Sequence, residues 1–138
     1  MKNLKHAGYD YLLEESLEAL HRESQIWSSE LKLWEIELAF FQKLLDRNSQ
    51  NFTSNEEKKK MGHFQNLVSY YTGEVLDRFD QKIKQHEKYL AGELANKEQL
   101  DESVYRKKHA EIASHIGAFR IEFIMYKREF FNFIERVM

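Results

Sequence analysis

The sequence predicts an all-α fold, three long antiparallel helices running up, down and up in a coiled-coil-like helical bundle. Three observations carry that expectation. Apolar residues recur at spacings of three and four along most of the chain, proline is absent, and charged and aromatic residues are both plentiful, at 32% and 14%. Spacings of three and four hold apolar groups on one stripe of a helix, whereas a strand would send them to both faces. Without proline, no helical turn loses its backbone donor. So much charge alone would suit disorder, but ten Phe, seven Tyr and two Trp supply ample surface to bury.

The first helix is expected over 10–47. Its seam is Leu13, Leu17, Leu20, Ser24, Trp27, Leu31, Trp34, Leu38, Phe41 and Leu45, spaced four, three, four, three without interruption and polar only at Ser24. The polar run Asn48-Ser49-Gln50-Asn51-Phe52-Thr53-Ser54-Asn55 follows, rich in side chains that compete for backbone hydrogen bonds and favour turns and caps. Ser54 suits the N-cap of a second helix over 55–96, with Glu56 and Glu57 at its positive end.

The inward residues of that second helix read Met61, Phe64, Val68, Tyr71, Val75, Phe79, Ile83, His86, Leu90 and Leu94. The successive fours from Val75 to Ile83 break the alternation and predict less regular packing. Gly62, Gly73 and Gly92 each cost roughly 1 kcal/mol against alanine inside a helix, for which either a close helix approach or surface slack would account. Asp101 suits the N-cap of a third helix over 102–137. Its seam, Tyr105, His109, Ile112, Ile116, Phe119, Phe123, Tyr126, Phe130, Phe133 and Val137, alternates perfectly. Glu18/Arg22, Glu74/Arg78, Asp80/Lys84 and Glu102/Arg106 add i,i+4 pairs worth a few tenths of a kcal/mol each.

The totals bound the function. At 138 residues the chain fits one helical-bundle domain over 1–138. A net charge of −2, from 21 basic and 23 acidic side chains, argues against nucleic acid, whose phosphates demand a local cationic excess. The densest basic run, Lys58-Lys59-Lys60, follows Glu56-Glu57 and reads as a solvated helical turn. Polar faces of mixed sign argue against a membrane surface as well. No stretch approaches the roughly 20 apolar residues of a membrane span, and the N-terminus lacks the apolar core of a signal peptide. The absence of cysteine excludes disulfides and thiolate chemistry and suits a cytoplasmic protein. Ser28, Ser29, Ser69 and Ser114 lack the strand-turn-helix setting of a nucleophile elbow, and no phosphate-binding glycine loop is present.

Beyond the seams lies a second apolar stripe. On helix 1 it comprises Ile26, Leu33, Ile36 and Phe40, with Leu44 on its flank; on helix 3 it comprises Ile121, Ile124, Met125, Phe131 and Met138. If the bundle is splayed by its large aromatics, these residues are a wider core. If not, they form an exposed patch large enough to mark a contact surface. The expected partner is a second copy, as a homodimer, or a helical protein docking against the stripe.

The histidines suggest one alternative. Glu18-Ala19-Leu20-His21 has the Glu-x-x-His spacing that presents both groups to one ion in di-metal helical bundles. Counting back from the connections puts residue 18 near 85 and residue 86 near 113. Glu18, His21, His86, Glu111 and His115 then share a level, with His109 a turn away, as candidate ligands for a divalent metal ion. Against this, the motif does not recur, and the heptad positions of Glu18 and Glu111 point outward. His86 and His109 alone occupy seam positions, where a core histidine bonded to a neighbour is the simpler expectation. No catalytic constellation emerges. The sequence supports a non-enzymatic helical interaction module, with a metal- or small-ligand-binding bundle as the alternative.

Overall fold

The computed structural model describes residues 16–96 and 101–138, and the side chains of 92–96 lie outside the description. The first turns of the expected helix 1, with Leu13, and the inward Leu94 therefore fall outside it. Among the described residues the chain is all α-helical, with no strand. Among the described residues there are four α-helices: α1 (Leu17–Asn48), α2 (Asn55–Tyr70), α3 (Leu76–Asn96) and α4 (Glu102–Glu135). A 3-10 turn, Ser49–Asn51, follows α1, and a π-helical turn, Tyr71–Val75, joins α2 to α3 without a break.

The helix starts are fixed by side-chain caps. Ser16 Oγ accepts from the Ala19 amide at 3.0 Å, and Asp101 Oδ1 accepts from the Val104 amide at 3.2 Å. Ser54 and Glu57 form a reciprocal capping box in which Ser54 Oγ accepts from the Glu57 amide and the Glu57 carboxylate accepts from the Ser54 amide. The hydrogen bonds from Ser54 favour the charged form and hold the Glu57 carboxyl below its usual range.

The π turn corrects the reading of the second helix. Its extra residue is closed by the Leu76 amide donating to the Tyr71 carbonyl five residues back. The buried residues then run Phe64, Val68, Tyr71, Leu76, Phe79, Ile83, His86 and Leu90. One step of five replaces the expected step of four. Leu76 takes the core position assigned to Val75, and alternation of three and four resumes beyond it.

The chain groups into two compact units. One takes the described residues of Met1–Glu30 with Phe79–Ala118, the other Leu31–Arg78 with Phe119–Met138. The first unit buries Leu20, Leu90 and Tyr105 together, with Leu17 and Ala110 packed against them. Ser24, the polar seam residue, is fully buried, and its hydroxyl donates to the Leu20 carbonyl at 3.3 Å.

The second unit is an aromatic core. Trp34 meets Phe119 and Phe123 edge-on, Phe41 lies 4.7 Å from Phe130, and Tyr71 contacts Phe119, Phe123 and Tyr126. Such edge-to-face and tilted pairs contribute about 0.5–1.5 kcal/mol each beyond their buried area. The Tyr126 hydroxyl donates to the Phe64 carbonyl at 3.1 Å, so a polar group inside this core is satisfied. Burial pushes the phenols of Tyr71 and Tyr126 above their usual range, with Glu122 acting in the same direction on Tyr71. Phe52, from the polar connection, stacks on Phe133 at 4.6 Å, while Asn51 Nδ2 donates to the Val137 carbonyl. Gln42 and Gln65 exchange two amide hydrogen bonds of 2.7 Å between α1 and α2.

Candidate functional site

In the second unit, α1 and α4 lie side by side and carry the expected apolar stripe. Trp34 pairs with Phe123, Glu37 with Lys127 and Phe41 with Phe130, so position rises along both helices together. With the seam residues turned inward, the next positions face out. Leu33, Ile36 and Phe40 on α1 and Ile121, Ile124, Met125 and Phe131 on α4 are 46–67% exposed. A splayed bundle would have covered them, so the wider-core reading fails for these residues. It holds for Leu44 alone of that group, which is buried.

The two halves of the stripe meet at Phe41, whose ring contacts both Phe40 and Phe131. Between them Lys127 Nζ reaches Glu37 at 3.1 Å and lies 4.7 Å from the Phe123 ring centroid. One charge pair thus sits among apolar side chains, its charges mutually neutralised. Ile26 is exposed too and belongs to the first unit; Met138, at the end of the chain, is 75% exposed.

The first unit holds a chain of buried polar groups. His86 Nε2 lies 3.0 Å from His109 Nδ1, and His109 Nε2 lies 2.6 Å from Glu23 Oε1. The carboxylate fixes the direction of the whole chain. Since it only accepts, His109 Nε2 carries a proton and donates to Glu23. The neutral ring then accepts at Nδ1, and His86 must donate from Nε2. His86 is left with a bare Nδ1 that is buried and without a partner.

Aromatic rings enclose the chain. His86 stacks on Tyr105 at 4.3 Å and 11°, and Trp27 covers His109 at 4.5 Å. Burial, then His109, then Lys108 lower the His86 pKa from 6.5 to about 4. Burial also lowers that of His109, with Glu23 opposing. The Tyr105 hydroxyl, buried without a hydrogen-bond partner, is pushed up to about 12. Beside this chain, His21 Nδ1 meets Glu87 Oε2 at 2.5 Å.

The expected metal level is not assembled. Glu18 is 82% exposed and pairs with Arg22, Glu111 is 57% exposed beside Lys108, and His115 is exposed. The register explains the miss: His21 faces Glu87, and His86 faces Tyr105 and His109, about a turn from the expected partner near 113. Among the described residues no group of three or more His, Asp or Glu side chains is arranged to hold a metal ion. We therefore assign no metal ligand; His86 and His109 turn their nitrogens to each other and to Glu23.

No family model, no curated protein and no solved structure matches the chain. No helix among the described residues is long and apolar enough to cross a membrane. The sequence had placed His86 and His109 in the seam and the stripe on α1 and α4. It missed Glu23, one of many acidic side chains on a helix flank, and Tyr105 as a polar neighbour, because an aromatic seam residue reads as plain core.

Proposed function

We propose that this chain is a non-enzymatic helical module of the cytoplasm that self-associates through the apolar face of α1 and α4. The observation that carries the reading is the exposure of seven large apolar side chains on two neighbouring helices of one unit. Seven half-exposed side chains of this size offer on the order of 700 Å² per copy, close to the roughly 800 Å² a standard interface takes from each partner. A two-fold axis lets the same face serve both copies. Such a pairing would complete a four-helix layer from two copies of α1 and α4. The reading also takes α2, its π turn and α3 as one rod, so that three rods run up, down and up. Registers within the second unit support this: Phe64 with Tyr126 and Tyr71 with Phe119 run in opposite senses.

Replacing Ile36 and Ile124 with Asp tests the face. Both are well exposed, whereas Phe131 also rests on the core ring of Phe41 and would disturb it. Sedimentation at micromolar concentration should give twice the chain mass for the parent protein and one chain mass for the Ile36→Asp/Ile124→Asp variant, with helicity unchanged. A parent protein that sediments as a single chain would rule out the homodimer.

A further inference from the structure

The first unit concentrates its unsatisfied polar atoms in one place. His86 Nδ1, Tyr105 Oη and Glu87 Oε1 are all buried without hydrogen-bond partners, and all lie around the Glu23–His109–His86 chain. The core of the second unit, by contrast, buries no histidine and no carboxylate among the described residues.

We propose that the Glu23–His109–His86 chain is a proton-operated catch, so that mild acid opens the first unit while the aromatic core of the second stays closed.

As the chain stands, each N–H has an acceptor: His86 donates to His109, and His109 donates to Glu23. A further proton can enter at either imidazole. On His86 it must sit on Nδ1, which is buried and has no acceptor. On His109 it must sit on Nδ1, which already faces the His86 N–H. His86 would then have to release that proton, take one at its own Nδ1 and accept through Nε2. Both routes place an N–H on the same orphaned atom. A buried donor with no acceptor is costly, and a buried charge more so.

The surroundings do not rescue it. From α4, Lys108 and Arg106 disfavour positive charge, on His86 and His109 respectively. Glu23 from α1 and Glu87 from α3 favour a charged His109, yet burial outweighs them. His21 from α1 is engaged with Glu87. The folded unit therefore refuses a proton that the opened unit accepts at the ordinary imidazole pKa, and acid shifts the population toward the opened form.

The two tryptophans make the test, because Trp27 belongs to the first unit and Trp34 to the second. In full-length Trp34→Phe protein, Trp27 emission is followed from neutral pH down to pH 4, and in Trp27→Phe protein Trp34 is followed likewise. Amide exchange of the parent protein, corrected for its intrinsic pH dependence, is read in parallel. Trp27 should respond below pH 6.5, with exchange over 79–91 and 102–118 accelerating at least about tenfold, while Trp34 and 119–133 stay protected. The His86→Leu/His109→Leu variant should lose the transition. If that variant does not fold, the parent's exchange pattern decides alone. Joint movement of both reporters, no response of Trp27, quenching of Trp27 without faster exchange, or an acid transition that survives in the double leucine variant each overturns the proposal.

Discussion

Glu23 sets the direction of every hydrogen bond in the polar chain of the first unit, and a stability prediction follows from it. The His86 pKa is lowered from 6.5 to about 4, so the folded state stays neutral where the unfolded chain is charged. The stabilisation is complete above pH 6.5 and drains away as pH falls toward 4, amounting to at most about 3 kcal/mol. Chemical denaturation at pH 7 and at pH 5 should show about two-thirds of that loss, and the His86→Leu/His109→Leu variant should show much less of it. At the helix ends the effects are smaller. Ser54→Ala removes one arm of the capping box and should cost about 1 kcal/mol, read as a lower melting temperature. Gly62 and Gly73 answer the question the glycines posed, since an added Cβ would meet nothing within 4 Å at either, while the surroundings of Gly92 lie outside the described residues. Slack, not close approach, explains the first two, and alanine at either site should stabilise by about 0.5–1 kcal/mol. The paired histidines were legible as seam positions. Their acid partner was not, because periodicity marks only inward residues, and Glu23 reaches the core from a flank with its side chain 33% exposed.

At the scale of elements, the seams of α1 and α4 were readable because a strict alternation leaves one way to wind a helix around a core. The middle rod was readable only as an irregularity. Two consecutive steps of four look the same in a sequence whether the helix drifts or carries one surplus residue, and the difference is a backbone bond that side-chain spacing does not encode. The expected level of the histidines was displaced for a separate reason, since counting along the chain does not fix how far two packed helices slide past one another. The surplus residue makes a specific expectation. Gly73 is exposed within the π turn, with open space around it. Deleting it should convert Tyr71–Val75 into ordinary α-helix and bring the Leu76 side chain four positions after Tyr71, still on the inward stripe. Inserting an alanine there should rotate everything beyond by about 100° and expose Phe79 and Ile83. Circular dichroism should find a cooperative melt for the deletion and a broad, early one for the insertion. A deletion as damaging as the insertion would show that the turn is needed for more than absorbing one residue.

For the whole molecule, the proposed self-association raises the question of what force would bring two copies together, and charge and apolar area give opposite answers about salt. The chain carries a net charge of −2, so two copies repel only weakly at long range. The charges at the centre of the face, Glu37 and Lys127, are already joined to each other. Neither feature gives added salt much to screen, and the proposed interface would gain by burying isoleucine, leucine, methionine and phenylalanine. Apolar burial is strengthened by sulfate, which is excluded from protein surfaces. Self-association measured by sedimentation should therefore be nearly unchanged by sodium chloride between about 0.05 and 0.5 M, where exposed charge pairs would be largely screened, and should tighten in sodium sulfate. Docking driven by surface charge would do the reverse, weakening by an order of magnitude or more over the same range. The Glu37→Gln/Lys127→Gln variant separates the two further. If the pair merely fills the middle of an apolar face, removing both charges leaves association intact or slightly stronger, because an ion pair replaced by neutral groups no longer has to shed its hydration. If it dissociates the dimer, the face works by salt-bridge exchange between copies, and the apolar stripe is its border.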